Sequence, residues 1–176
     1  MTEEEFKNLV IRADEGTALI GIDRALARKF YTIFPLSQIK RDMGEAPYME
    51  KAIIIALYFL GWGSLIMNSI LAPIVFKWWS VAIVPSTVIV YVIFIGDSSL
   101  PNRGWLILTL IMMFTIVLLI FNVFTTIYHG LFVVSLVLAF WAGRLVYVAA
   151  TYFLRAFVLR NRKAFECVRP QVRFLT

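Results

Sequence analysis

Between Ala52 and Thr151 the chain carries only four charged side chains, Lys77, Asp97, Arg103 and Arg144, and the first three fall between apolar runs. A helix needs about 20 apolar residues to cross the hydrocarbon core of a bilayer. Segments near 52–72, 79–96, 105–127 and 130–151 reach or approach that length. Every backbone polar group in lipid must be satisfied internally, so helices are the expected form of these runs. The predicted fold class is an all-α integral membrane protein with four transmembrane helices. The second segment is short and holds Pro85, which predicts a kink or a small tilt.

Hydrophobic residues make up 61% of the 176 positions and charged residues 16%, which would leave a soluble domain with a large exposed apolar surface. The net charge of +6 is not spread evenly. The first 51 residues hold eight basic and nine acidic side chains, whereas residues 152–176 hold six and one. A basic excess confined to one end fits an anionic lipid leaflet and not nucleic acid. Pro73, Lys77, Trp78 and Trp79 predict a tight turn with an aromatic belt, and Tyr128, His129 and Gly130 a second turn on the same side. The intervening turn carries Asp97, Ser98, Ser99, Pro101, Asn102 and Arg103. Only Lys77 is basic on the first face, so the positive-inside bias places both termini in the cytoplasm. The chain opens on acidic residues and stays polar for about fifty positions, so no cleaved signal peptide is expected.

Three regions follow: residues 1–47, a cytoplasmic amphipathic helical segment and linker; residues 48–151, the transmembrane region; and residues 152–176, a basic cytoplasmic tail. Thr2 and Glu5 have the spacing of a helix capping box, followed by Phe6, Leu9, Val10 and Ala13 on one face. Beyond Asp14, Glu15 and Gly16, the spacing of Leu19, Ile22, Leu26, Lys29, Phe30 and Ile33 predicts a second amphipathic helix ending before Pro35. Such helices suit the headgroup layer, a partner, or a small cytoplasmic cap. Gly44 and Pro47 mark a hinge-like linker. The residues after Thr151 stay helical in pattern until Pro170, so the fourth helix is expected to extend into the cytoplasm.

The polar residues inside the apolar runs are the candidate sites. Gly61, Gly63 and Ser64 permit close helix approach, and a buried Asn68 seeks a partner across the interface. Packing within one bundle is the ordinary reading; an oligomer contact or a polar lining is the sharper one. Asn122 near the end of the third span belongs to the same polar intramembrane class. Arg144 lies roughly 10 Å inside the fourth span, within snorkelling reach of the interface. Arg144, Thr151, Arg155 and Arg162 share one helical face if the helix is continuous, and predict a cationic stripe for an anionic lipid or an acidic partner.

One His, one Cys and no carboxylate within the spans leave no catalytic pair, no metal ligand set and no phosphate loop. No enzyme activity, metal or cofactor is expected. His129 reads as an interface residue, and Cys167 as a free thiol. The expected function is a non-enzymatic multi-pass membrane subunit. It would anchor or oligomerise in the bilayer and engage a partner or anionic lipid through its cytoplasmic ends. The partners that follow are anionic headgroups, further copies or complex subunits, and a cytoplasmic protein. The alternatives are a small oligomeric channel or transporter protomer, or a membrane-active effector of a bacterial immunity or toxin system.

Overall fold

The computed structural model describes residues 2–15, 19–96, 103–121, 123–168 and 172–175. It is predominantly helical. In chain order come α1 (Glu3–Asp14), β1 (Leu19–Ile22), α2 (Arg24–Thr32), α3 (Leu36–Met43), α4 (Tyr48–Phe76), α5 (Ser80–Gly96), α6 (Arg103–Ile120), α7 (Ile127–Arg160), α8 (Arg162–Val168) and β2 (Val172–Leu175). Two helical stretches are long and apolar enough to cross a membrane: Tyr48–Ile95, which contains a 3₁₀ turn, and the 34-residue Ile127–Arg160. The chain divides into two compact units, Met1–Ile55 with Tyr147–Thr176, and Ala56–Val146.

The unit Ala56–Val146 is built on a reversal. Phe76 leaves helical geometry and Lys77 takes a left-handed backbone with φ 51, after which Ser80 Oγ donates to the Lys77 carbonyl at 2.6 Å. The aromatic turn expected at Lys77–Trp79 is therefore present as a 3₁₀ turn. Beyond it α5 folds back on α4, since Tyr91 packs on Trp62 and Leu65 while Ile83 and Val84 pack beside Leu71 and Ala72. Ala139 and Phe132 of α7 complete these two apolar clusters. Trp141 Nε1 donates to Thr109 Oγ1 at 2.9 Å and ties α6 to α7.

Helix α6 stops at Ile120, seven residues before the expected end at 127, and α7 begins at Ile127, three before 130. Phe121 and residues 123–126 are not helical, and Thr125 and Thr126 interrupt the apolar run there. Thr126 explains the restart, because its carbonyl accepts from Gly130 N–H at 3.4 Å and its hydroxyl lies 2.6 Å from His129 Nδ1. Residues with a side-chain oxygen favour such helix-start positions over helix interiors.

In the other unit the two ends of the chain fold together. Thr2 and Glu5 form the expected capping box, with Thr2 Oγ1 accepting from Glu5 N–H at 3.2 Å and Glu5 Oε2 from Thr2 N–H at 2.8 Å. Phe6 of α1 meets Phe165 of α8 edge-on at 5.7 Å, and Phe30 of α2 meets Phe157 of α7 at 6.1 Å. Arg28 lies 4.9 Å from the centre of the Tyr147 ring. The apolar faces that suit a partner or a headgroup layer are thus covered in part by the chain's own C-terminal helices, at Phe6 and Phe30. Tyr31 is buried in this core. Its hydroxyl is the one buried side-chain polar atom without a hydrogen-bond partner among the described residues, and burial raises its pKa, which keeps the phenol protonated.

Three local expectations are corrected here. Leu19–Ile22 is a strand and not the start of α2, and it pairs antiparallel with Val172–Leu175, Leu19 opposite Leu175 and Ile22 opposite Val172. Asp23 separates strand from helix, taking extended backbone while its Oδ1 caps Leu26 N–H at 2.9 Å. A separate helix, α3, follows Pro35, and Gly44 ends it in left-handed conformation at φ 82, so this glycine is a helix terminator with no hinge required. The C-terminal helix extends past Thr151 as expected but ends at Arg160, where Asn161 starts the short α8. Gly16 and Pro170 lie outside the described residues.

Candidate functional site

Asn68 on α4 is buried, and its side-chain amide donates to the Phe132 carbonyl at 2.9 Å and to Ser135 Oγ at 3.3 Å. Ser135 Oγ in turn donates to the same carbonyl at 2.9 Å. The partner that a buried Asn demands is supplied by α7 of the same chain, so the polar cluster locks one helix pair. Gly61 lies two turns earlier at a close approach: a Cβ built there would stand 2.7 Å from Tyr91 Oη and 3.5 Å from the Ala139 carbonyl. Gly63, its neighbour in the sequence motif, faces open space. Asn122 and Asp97 lie outside the described residues.

Arg144 is 3% exposed, and its guanidinium sits 5.5 Å from the centre of the Phe94 ring. A cation over an aromatic face gains electrostatic attraction from the ring quadrupole, more so when desolvated. Arg144 therefore packs against α5 through the Phe94 ring.

Arg155 and Arg162 lie in the unit made of the two chain ends. Arg155, half-buried on α7, lines an opening of about 470 Å³ with Val10, Ala13, Ala156, Leu159 and Arg160. Arg162 sits on α8, and its Nε donates to Glu166 Oε1 at 3.1 Å. The helical repeat that would carry one stripe from Arg144 through Thr151 and Arg155 to Arg162 is interrupted at Asn161. Arg162 joins a different group. Together with Lys7, Arg160, Lys163, Glu3 and Glu166 it lines a cleft of about 580 Å³ whose apolar wall is Phe6.

Sequence reasoning missed Lys7 as a neighbour of Arg160, Arg162 and Lys163, because it is more than 150 positions away from them. It also missed Asn161, which starts α8 and ties it to α3. Asn161 Oδ1 accepts from Ala164 N–H at 3.2 Å and starts α8, while its Nδ2 donates to the Met43 carbonyl at 2.9 Å. An Asn followed by a basic, helix-favouring run was the available signal. Among the described residues, no three His, Cys, Asp or Glu side chains are grouped to hold a metal ion. Cys167 is exposed and free. The chain matches no family model, no curated protein and no solved structure.

Proposed function

We propose that this chain is a non-enzymatic, multi-pass membrane subunit whose bundle anchors or oligomerises in the bilayer and whose two ends jointly engage an anionic lipid or a protein partner. The observation that carries this reading is the distribution of exposed apolar side chains. Ile66 on α4 is 59% exposed, Ile93 on α5 66% and Leu110 on α6 67%. Burying such a side chain is worth about 1.5–3 kcal/mol, so helices that leave many of them uncovered require an apolar surrounding. Four crossings by α4, α5, α6 and α7 would supply it. At 1.5 Å per residue, the 18 residues of α6 span about 27 Å, close to the roughly 30 Å of a hydrocarbon core.

Both termini are assigned to the cytoplasmic side, because residues 152–176 carry six basic side chains whereas the turn at Lys77 carries one. In sealed cells, single cysteines replacing Lys77 and His129 are expected to react with an impermeant thiol reagent, with Cys167 protected. Labelling of Cys167 before the membrane is opened would reverse the assignment. Purified protein in liposomes separates anchor from pore. Proteoliposomes holding the purified protein are expected to leak ions no faster than empty ones, since the polar side chains of Asn68 and Ser135 are turned on one another. A conductance that Asn68→Leu abolishes would establish the channel reading instead.

A further inference from the structure

We infer that the cleft between α1, the end of α7 and α8 binds a phosphomonoester, the dianionic phosphate group carried by certain anionic lipids and by soluble phosphates. This site gives chemical identity to the anionic ligand of the reading above and rests on it. The cleft is lined by four cations, Lys7, Arg160, Arg162 and Lys163, and two carboxylates, Glu3 and Glu166. Four minus two leaves a charge excess of +2, the complement of a phosphomonoester, which carries about −1.5 to −2 near neutral pH.

The carboxylates are already assigned. Glu3 pairs with Lys7 at 3.4 Å and Glu166 with Arg162 at 3.1 Å, each one helical turn apart. Among the described residues, Arg160 and Lys163 have no such acid, and both are exposed. The Lys7–Glu3 pair is about 70% exposed on both sides and so holds Lys7 weakly, leaving its ammonium available to a stronger anion. Arg160 offers the planar fork that grips two phosphate oxygens, while Lys7 and Lys163 offer point charges. The volume of about 580 Å³ falls within the usual range for small-ligand sites.

A bland account exists for each cation separately. Arg160 complements the carbonyl end of α7, and Arg162 and Lys7 make helix-surface pairs. That account does not explain why residues from opposite ends of the chain converge on one concavity with an excess of two charges. Arg160 also lines the neighbouring opening of about 470 Å³, where Val10, Ala13, Ala156 and Leu159 stand beside Arg155. An amphiphile with a phosphate head and an apolar body suits that pair of openings better than a free ion does. The lipid-borne source is therefore favoured.

The test uses the full chain purified in mild detergent, with lipid retention read by native mass spectrometry. Phosphatidic acid is expected to be retained at least about tenfold more tightly than phosphatidylglycerol or phosphatidylcholine of the same acyl chains, because only the first is a phosphomonoester. Arg160→Gln with Lys163→Gln should erase that preference. Arg41→Gln, which removes an exposed cation of α3 outside the cleft, should leave it intact. Since Arg160 and Lys163 are exposed, the double variant is expected to keep the parent's helical circular dichroism, and Arg160→Lys with Lys163→Arg should restore most of the binding. Inorganic phosphate displacing the lipid at micromolar concentration would assign the site to a soluble phosphate, within the same chemistry. Equal retention of the three lipids, an unchanged preference in the double variant, or displacement by an acidic peptide but not by phosphate would overturn the inference. Normal insertion of the parent alongside any of those results would leave the membrane-subunit reading standing, whereas failure of the parent to insert would remove that reading itself.

Discussion

Gly61→Leu is expected to prevent the helices of Ala56–Val146 from packing, and Gly61→Ala to destabilise them by about 1–3 kcal/mol, the usual cost of overfilling a packed contact. The conflict is with Tyr91 Oη, 2.7 Å from the added Cβ. Tyr91 cannot swing away freely, because its ring is 1% exposed and packs edge-on against Trp62 at 5.4 Å and Phe140 at 5.5 Å. The α7 backbone closes the other side through the Ala139 carbonyl and Gly143 N–H. Tyr91→Phe removes the offending atom and keeps the ring, so the pair Gly61→Ala with Tyr91→Phe should lose less stability than the two single changes summed. Denaturant titrations in detergent supply the comparison. Strict additivity, or a Gly61→Leu variant as stable as the parent, would show that α4, α5 and α7 do not meet at this point.

Asn161→Ala should cost about 1.5–5 kcal/mol in the unit formed by the chain ends. The change uncaps α8, worth about 0.5–2 kcal/mol, and leaves the Met43 carbonyl without its donor, worth about 1–3 kcal/mol. That carbonyl belongs to the last turn of α3, where no intrahelical partner exists. Asn161→Asp separates the two contributions, because its carboxylate still accepts from Ala164 N–H but cannot donate to Met43. Hydrogen exchange is the suitable measurement, with faster exchange expected in Leu36–Met43 for both variants and in Arg162–Val168 for Asn161→Ala alone. Unchanged protection of α3 in both would mean that Asn161 serves α8 only.

The parts legible in the sequence are those whose cause is local. Thr2 and Glu5 cap α1 as their spacing predicts, because both partners of the hydrogen bonds lie within one turn. The apolar runs became α4 to α7, since a long stretch without charge has few alternatives to a helix. The reversal at Lys77 was announced by the proline, the lysine and the paired tryptophans around it. Periodicity misled at Leu19 and Ile22, which fit a helical face equally well as residues of a strand. What decided between them was Val172–Leu175, about 150 positions away and invisible to any local window. The small α3 escaped for a related reason: eight residues gain little from propensity, and Ile39 and Met43 acquire their value only by burial.

The candidate sites divide along the same line. That Asn68 and Arg144 need partners follows from the cost of polar groups in an apolar segment, and the sequence alone sufficed to single them out. Their partners, the Phe132 carbonyl with Ser135 and the Phe94 ring, depend on which helices become neighbours. By itself the sequence determined the helical class, the long apolar segments and the concentration of positive charge at the C-terminal end, because hydrophobic length and charge are sums over residues and need no contacts. Only the tertiary structure decided that α1 meets α8, that β1 pairs with β2, and that Lys7 joins Arg160, Arg162 and Lys163 around one cleft. Those facts come from pairing across the full length of the chain, where the energy lies in burial and hydrogen bonding between residues whose spacing in sequence carries no signal.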